Sequence, residues 1–125
     1  MGEKLARFSL RADAIYCIGL GAVLASQRRE LAERTNFPPD VLAGAGVGAV
    51  VWGLIVSRLA GASSWRGATR FVGLANLSAV GALVWFGNIR GGSARRWVSG
   101  LIGQVGGFAL SQFIALAAGR ATSDQ

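Results

Sequence analysis

The side chains that most often carry catalysis or metal binding are scarce in this chain. It contains no histidine, which excludes a Ser-His or Cys-His dyad, a histidine metal ligand and a histidine pH switch. Cys17 is its single cysteine, so an intrachain disulfide and a cysteine zinc cage are excluded as well. We therefore predict no catalytic residues, no metal site, no bound cofactor and no enzymatic activity.

One carboxylate and three amides remain as candidates for chemistry inside apolar sequence: Asp13, Asn76, Gln104 and Gln112. An ionisable group within a membrane is costly and is by default a functional hypothesis. Buried amides must also find hydrogen-bond partners there, because lipid offers none. We interpret these four as candidate intramembrane polar residues, which either join helices through hydrogen bonds or line a polar path.

Asp13 itself has two interpretations. In the first it is interfacial, helps to begin the first helix and pairs with a basic side chain. Arg11 is near in sequence, but residues two apart on a helix do not face each other, so Arg58 or Arg70 is the better partner. In the second interpretation Asp13 takes part in proton- or cation-coupled transport.

The elements that would position these residues are four long uncharged runs. The chain has 125 residues, of which 52% are hydrophobic and 15% charged, whereas a soluble domain has about 25% charged residues. A membrane-spanning helix needs roughly 20 apolar residues. The run 41–57 reaches this length by extending to residue 60, and the run 14–27 by extending back to residue 8. The runs 71–89 and 97–119 qualify directly.

The predicted fold is an all-α membrane protein, a four-transmembrane-helix bundle with short loops. Residues 1–125 form a single membrane domain, with helices at about 8–27, 41–60, 70–89 and 97–119. Helices of a soluble bundle would show a charged face, which these runs lack. Strands are disfavoured by the length of the runs and the absence of strict alternation.

A competing interpretation replaces the first span with a secretory signal peptide. Residues 1–25 have a basic start, an apolar centre and the sequence Val23-Leu24-Ala25 before Ser26, which resembles a cleavage site. Two features argue against cleavage. Asp13 lies at the start of the apolar run, and Arg28 and Arg29 directly follow the end of this run.

The connections between the spans are short. In the first, Pro38 and Pro39 are expected to stop a helix, because proline lacks the backbone donor and restricts the residue before it. Asp40 then suits the N-cap of the second span. The tail after Gly119 is expected to fray.

The distribution of basic residues bears on orientation and on partners. With four spans, seven lysines and arginines fall on the side of the termini and six on the other. The positive-inside rule places both termini in the cytoplasm of a bacterial inner membrane. The near-equal split also admits insertion in both orientations. The net charge of +7 fits contact with anionic lipid, and the scattered basic residues do not predict nucleic acid binding.

Small residues recur every four positions in the second and fourth spans, and this spacing keeps them near one face of a helix. Close backbone packing drives helix association in lipid. We therefore predict that these two spans make the closest helix contacts, within one chain or between chains. The packing residues are Gly44, Gly48, Gly53, Gly103, Gly107 and Ser111.

Short motifs in all four spans carry a resemblance to a known group. They are Leu10-Arg11-x-Asp13-Ala14 in the first span, Pro38, Pro39, Leu42 and Trp52 in the second, Asn76 in the third, and Gln104 or Gln112 in the fourth. From about Leu10 to Ala118 the chain resembles small uncharacterised four-span integral membrane proteins of actinobacteria. The resemblance implies four spans with Asp13 at the start of the first, and it gives no information about activity. The charged segment 27–35 departs from the pattern.

These features together favour a small non-enzymatic integral protein of the inner membrane. Its expected role is that of a structural or accessory helix-packing component, with the lipid bilayer, further copies of itself or a larger membrane complex as partners. The alternative is a minimal transporter or channel subunit that uses Asp13 and the buried amides.

Overall fold

The computed structural model describes residues 2–123, apart from the side chains of residues 93, 122 and 123. This part of the chain is helical and contains no β-strand. The five helices are α1 (Gly2–Ser26), α2 (Arg28–Thr35), α3 (Pro39–Leu59), α4 (Trp65–Arg90) and α5 (Gly92–Ser123). All except α2 are long and apolar enough to cross a membrane. The prediction of an all-α bundle with four spans is confirmed.

The long helices are arranged around α1. It packs along both α3 and α5, and α4 packs along α5, whereas among the described residues α3 and α5 do not contact each other. The predicted close contact between the second and fourth spans is therefore wrong within the chain. A small-residue stripe shows which face of a helix permits close approach, but it does not select the neighbour.

Glycines of α1 and α3 bring these two backbones together. A Cβ added at Gly46 would lie 2.6 Å from the carbonyl oxygen of Gly21, and one added at Gly21 would clash with the carbonyl oxygen of Gly46. Further along, a Cβ at Gly53 would lie 2.9 Å from the carbonyl oxygen of Ala14. Gly53 is thus a packing residue as predicted, but its partner is α1.

The other predicted packing glycines point away from the bundle. A Cβ added at Gly44 or Gly48 of α3, or at Gly103 or Gly107 of α5, would meet no atom within 4 Å among the described residues. Ser111, the remaining predicted packing residue, contacts α1 through the side chain of Ser9. Of the predicted packing residues, Gly53 and Ser111 therefore face α1, and the other four face away from the bundle.

Several helix boundaries differ from the prediction. α1 begins at Gly2 rather than near residue 8, and α5 continues to Ser123 beyond residue 119. Asp13 consequently lies about 16 Å along α1 from its first residue, in the middle of the helix rather than at its start.

The connections also differ in detail. α2 ends before Asn36, whose left-handed backbone (φ 61°) terminates the helix ahead of the two prolines. Pro39 is the first residue of α3, so Asp40 lies in the first turn and is not the N-cap. Gly91 and Gly92, with φ of 64° and 59°, turn the chain directly from α4 into α5, and most residues other than glycine would be strained there.

The bundle has two ends. The terminal end contains the start of α1 and the end of α5, and the α2 end contains α2 and the turn at Gly91. At the terminal end, a guanidinium nitrogen of Arg7 donates to the carbonyl oxygen of Ala60 at 2.6 Å. Arg66 donates to the carbonyl oxygen of Gly119 at 3.2 Å and stacks on the ring of Trp65. These bonds connect α1 to the end of α3 and the start of α4 to the last turns of α5.

Candidate functional site

Three of the four candidate polar residues meet inside the bundle. The side-chain nitrogen of Asn76 donates to Oδ2 of Asp13 at 2.6 Å, and that of Gln112 donates to the same oxygen at 3.0 Å. The Asn76 nitrogen also lies 3.2 Å from Oε1 of Gln112. The three residues expose 2%, 5% and 0% of their surface, for Asp13, Asn76 and Gln112. We call them the polar triad; it joins α1, α4 and α5.

Each triad residue belongs to the buried stripe of its helix. On α1, Ser9 and Ala6 precede Asp13 at helical spacing and are also buried. On α4, Val72 and Gly73 are four and three residues before Asn76, and both are buried. Gly73 leaves room beside Gln112, since a Cβ there would lie 3.6 Å from the glutamine Cβ. The helices place the three polar groups together because these stripes face one another.

The polar environment of Asp13 is made of neutral groups. The thiol of Cys17, one turn along α1, lies 3.4 Å from Oδ1. Both amides and the thiol present donors to the carboxylate oxygens, which act as acceptors. Among the described residues neither Arg58 nor Arg70 forms an ion pair with Asp13. The predicted pairing of Asp13 with a basic side chain is therefore wrong for the described residues.

Gln104 lies apart from the triad. Its Oε1 accepts a hydrogen bond from the hydroxyl of Tyr16, whose ring packs against Phe108 with the centroids 5.5 Å apart. Gln104 is exposed, whereas Gln112, two turns further along α5, is buried. Gln104 thus joins α1 and α5 through a hydrogen bond of its own, apart from the triad.

Sequence reasoning missed Ser9. Its hydroxyl lies 2.7 Å from the hydroxyl of Ser111; Ser9 is one turn before Asp13 on α1, and Ser111 is next to Gln112 on α5. Ser9 precedes Asp13 by four residues, so helical spacing from the one carboxylate in the span was the available signal. The contact adds a second polar link between the helices that Asp13 and Gln112 already join.

The triad has limited chemistry of its own. Within the described part of the chain no group of three or more histidine, cysteine, aspartate or glutamate side chains is placed to hold a metal ion. In the same residues every buried side-chain nitrogen and oxygen has a hydrogen-bond partner. A carboxylate that accepts two amides can hold helices in register or bind a proton; the amides are not nucleophiles.

Comparisons with known proteins leave the family open. Models of protein families, curated proteins and solved structures gave no match to this chain. Four helices of sufficient length and apolarity identify it as a multi-pass membrane protein.

Proposed function

We propose that this protein is a non-enzymatic accessory component of the bacterial inner membrane, which packs with itself or with a larger membrane complex through its outer helix faces. The observation that carries the proposal is the outward direction of the α5 glycines. Gly103 and Gly107 lie one turn apart, and nothing within the described chain covers them. Small residues on a lipid-facing surface permit a second helix to approach closely, which is the main source of helix association in membranes.

The polar triad supports the same role. Its hydrogen bonds are directed at one another and hold α1, α4 and α5 together. Interhelical hydrogen bonds of this kind contribute roughly 0.6–2 kcal/mol each. Such a bundle presents a fixed outer surface to a neighbour, as an accessory component requires.

Paired leucine substitutions test the proposal. The double variant Gly103→Leu/Gly107→Leu fills the outer face of α5. It should abolish association in native membranes, measured by in-cell crosslinking, while the purified monomer still folds. Gly19→Leu with Gly81→Leu is the control, because a Cβ at either position also meets no atom within 4 Å in the described chain. Association that survives the α5 substitutions would contradict the proposed role.

A minimal transporter or channel subunit is the second candidate. It is favoured by one observation, a buried carboxylate whose described partners are neutral, since an intramembrane Asp without a cationic partner is typical of proton or cation pathways. It predicts proton or cation flux in liposomes that Asp13→Asn abolishes. The accessory role predicts no flux above that of protein-free liposomes, for the wild type and the variant alike.

Both termini lie on the same side of the membrane if all four spans cross it. We propose that this side is the cytoplasm, on the basis of seven lysines and arginines against six. The terminal end of the bundle then faces inward and α2 faces outward.

A further inference from the structure

At the α2 end the bundle contains an apolar cavity of about 400 Å³. The last turns of α1 and the first turns of α5 form its sides, and α2 covers it through Leu31 and Thr35. Phe37 and Phe86, whose rings stack with centroids 5.3 Å apart, form part of the wall. Ligand sites in proteins have volumes of roughly 300–1,000 Å³, so this cavity has the size of a binding site.

Its lining favours hydrocarbon. Of the described residues in the wall only Thr35 and Gln104 are polar. The Thr35 hydroxyl donates to the carbonyl oxygen of Leu31 at 2.6 Å, and Gln104 accepts from Tyr16. Val41 and Trp97 also line the cavity and are about half exposed, at 51% and 50%. The cavity is therefore open at the helix surface that faces lipid.

A cationic group lies beside this apolar space. The guanidinium carbon of Arg90 is 5.7 Å from the ring centroids of both Phe37 and Phe86. Arg90 and Arg29 also line an open recess of about 740 Å³ that shares Phe37 with the cavity. Neither arginine has a carboxylate within 4.0 Å among the described residues.

Glu33 also lines this recess, but the net charge of the surrounding sequence is positive. The sequence that forms the α2 end carries six arginines against three carboxylates. One of the arginines, Arg34, is paired with Glu30. An excess of positive charge at the membrane surface attracts anionic headgroups, each basic residue contributing about fivefold in affinity.

We propose that the cavity binds one acyl chain of an anionic phospholipid, with the lipid phosphate held by Arg90 and Arg29. The apolar wall takes the chain, and the unpaired guanidinium groups at its edge take the charge. Basic pockets between transmembrane helices recognise anionic lipid headgroups in this manner. Gly103 and Gly107, the outward glycines of α5, are not part of the cavity wall.

Native mass spectrometry of the purified protein in detergent tests the site, with dioleoyl phosphatidylglycerol and dioleoyl phosphatidylcholine as probes. The wild type should retain one phosphatidylglycerol and bind phosphatidylcholine more weakly. Arg90→Gln should weaken the binding of phosphatidylglycerol about fivefold, as expected for the loss of one surface charge. The binding of phosphatidylcholine should not change. Arg70→Gln is the control, since Arg70 is exposed on the same helix at the opposite end of the bundle.

A second pair of variants tests the cavity. Gly100 lines it, and a Cβ there meets no atom within 4 Å in the described chain, so Gly100→Phe should fill the space without a backbone clash. We expect Gly100→Phe to bind phosphatidylglycerol about tenfold more weakly, because excluding two methylene groups of the acyl chain has a cost of that order. Gly81→Phe, at an equally open position outside the wall, should bind as the wild type. Ala45→Phe fills the cavity from α3 if Gly100→Phe does not fold.

Three results would overturn the proposal. The first is equal affinity of the wild type for the two lipids. The second is equal binding by folded Gly100→Phe or Ala45→Phe and by Gly81→Phe. The third is a filling variant that changes the oligomeric mass and leaves lipid binding intact, which would identify a second protein chain as the occupant.

Discussion

Asn76 of α4 donates a hydrogen bond to Asp13 of α1 across 2.6 Å, and the two side chains are almost completely buried. These helices share few other contacts, since α1 packs mainly on α3 and α5. The bond therefore adds a specific link between helices that otherwise meet only locally. In lipid, where water cannot replace a lost partner, such a link constrains how the helices pack.

Loss of the Asn76 amide should destabilise the bundle. Asn76→Leu removes a donor to Asp13 and leaves the carboxylate with one amide, at a cost of about 1–3 kcal/mol for a buried group that loses its partner. The free energy of unfolding in mixed micelles on addition of sodium dodecyl sulfate measures this change. Asn88→Leu on the exposed end of the same helix is the control and should alter the free energy by less than about 0.5 kcal/mol. Equal effects of the two substitutions would show that burial of Asn76 has no energetic consequence.

The close approach of α1 and α3 predicts intolerance of a single methyl group. Gly46→Ala places a Cβ against the backbone of Gly21 and Ala25, and overpacking of this kind costs typically about 1–3 kcal/mol. Gly48→Ala lies on the outer face of the same helix and should be nearly neutral in the purified monomer. The same unfolding assay compares the two variants, and a neutral Gly46→Ala would mean that the helices are further apart than described.

Cys17 reports on water access to Asp13, because the two side chains are 3.4 Å apart and the chain has no other cysteine. If the triad is a closed packing contact, a membrane-impermeant maleimide should not label Cys17 in sealed proteoliposomes but should label it after unfolding. Ser64→Cys in a Cys17→Ala background is the control for reactivity, since Ser64 is exposed between α3 and α4. Labelling of Cys17 as rapid as that of the control would favour a water-filled path and the transporter alternative.

Sidedness is predicted for both termini. Reporter fusions that are active only in the cytoplasm should be active at each end of the chain, because four spans return the chain to its starting side and the basic residues favour the cytoplasm. If reporters that are active only in the periplasm were active at the same termini as well, the protein would insert in two orientations. Cytoplasmic activity at one terminus and not at the other would contradict four spans.

The sequence predicted the spans more reliably than their contacts. Charge-free runs located all four long helices, since a stretch of about 20 apolar residues has few alternatives in water or lipid. The start of α1 at Gly2 was missed because Lys4, Arg7 and Arg11 interrupt hydrophobicity without breaking the helix. Charged residues indicate which part of a helix lies outside the bilayer core, but they do not indicate where the helix itself begins.

The sequence identified the residues of the candidate site but not the hydrogen bonds between them. Asp13, Asn76 and Gln112 were selected because polar groups in apolar runs need partners, yet the sequence favoured arginine as the partner of the carboxylate. The relative rotation of α1, α4 and α5 decides which polar groups meet, and no local pattern specifies it. The same rotation turns Gln104 towards Tyr16 and Gly103 outward.

Asp13 and Gln112 form a structural link between α1 and α5. A double-mutant cycle with Asp13→Ala and Gln112→Leu measures the strength of this link through the free energy of unfolding in mixed micelles. We expect a coupling energy of about 1–2 kcal/mol, within the range of interhelical hydrogen bonds in membranes. We expect no coupling between Asp13→Ala and Gln104→Leu, whose side chains bond to different partners. Additive effects of Asp13→Ala and Gln112→Leu would contradict this link.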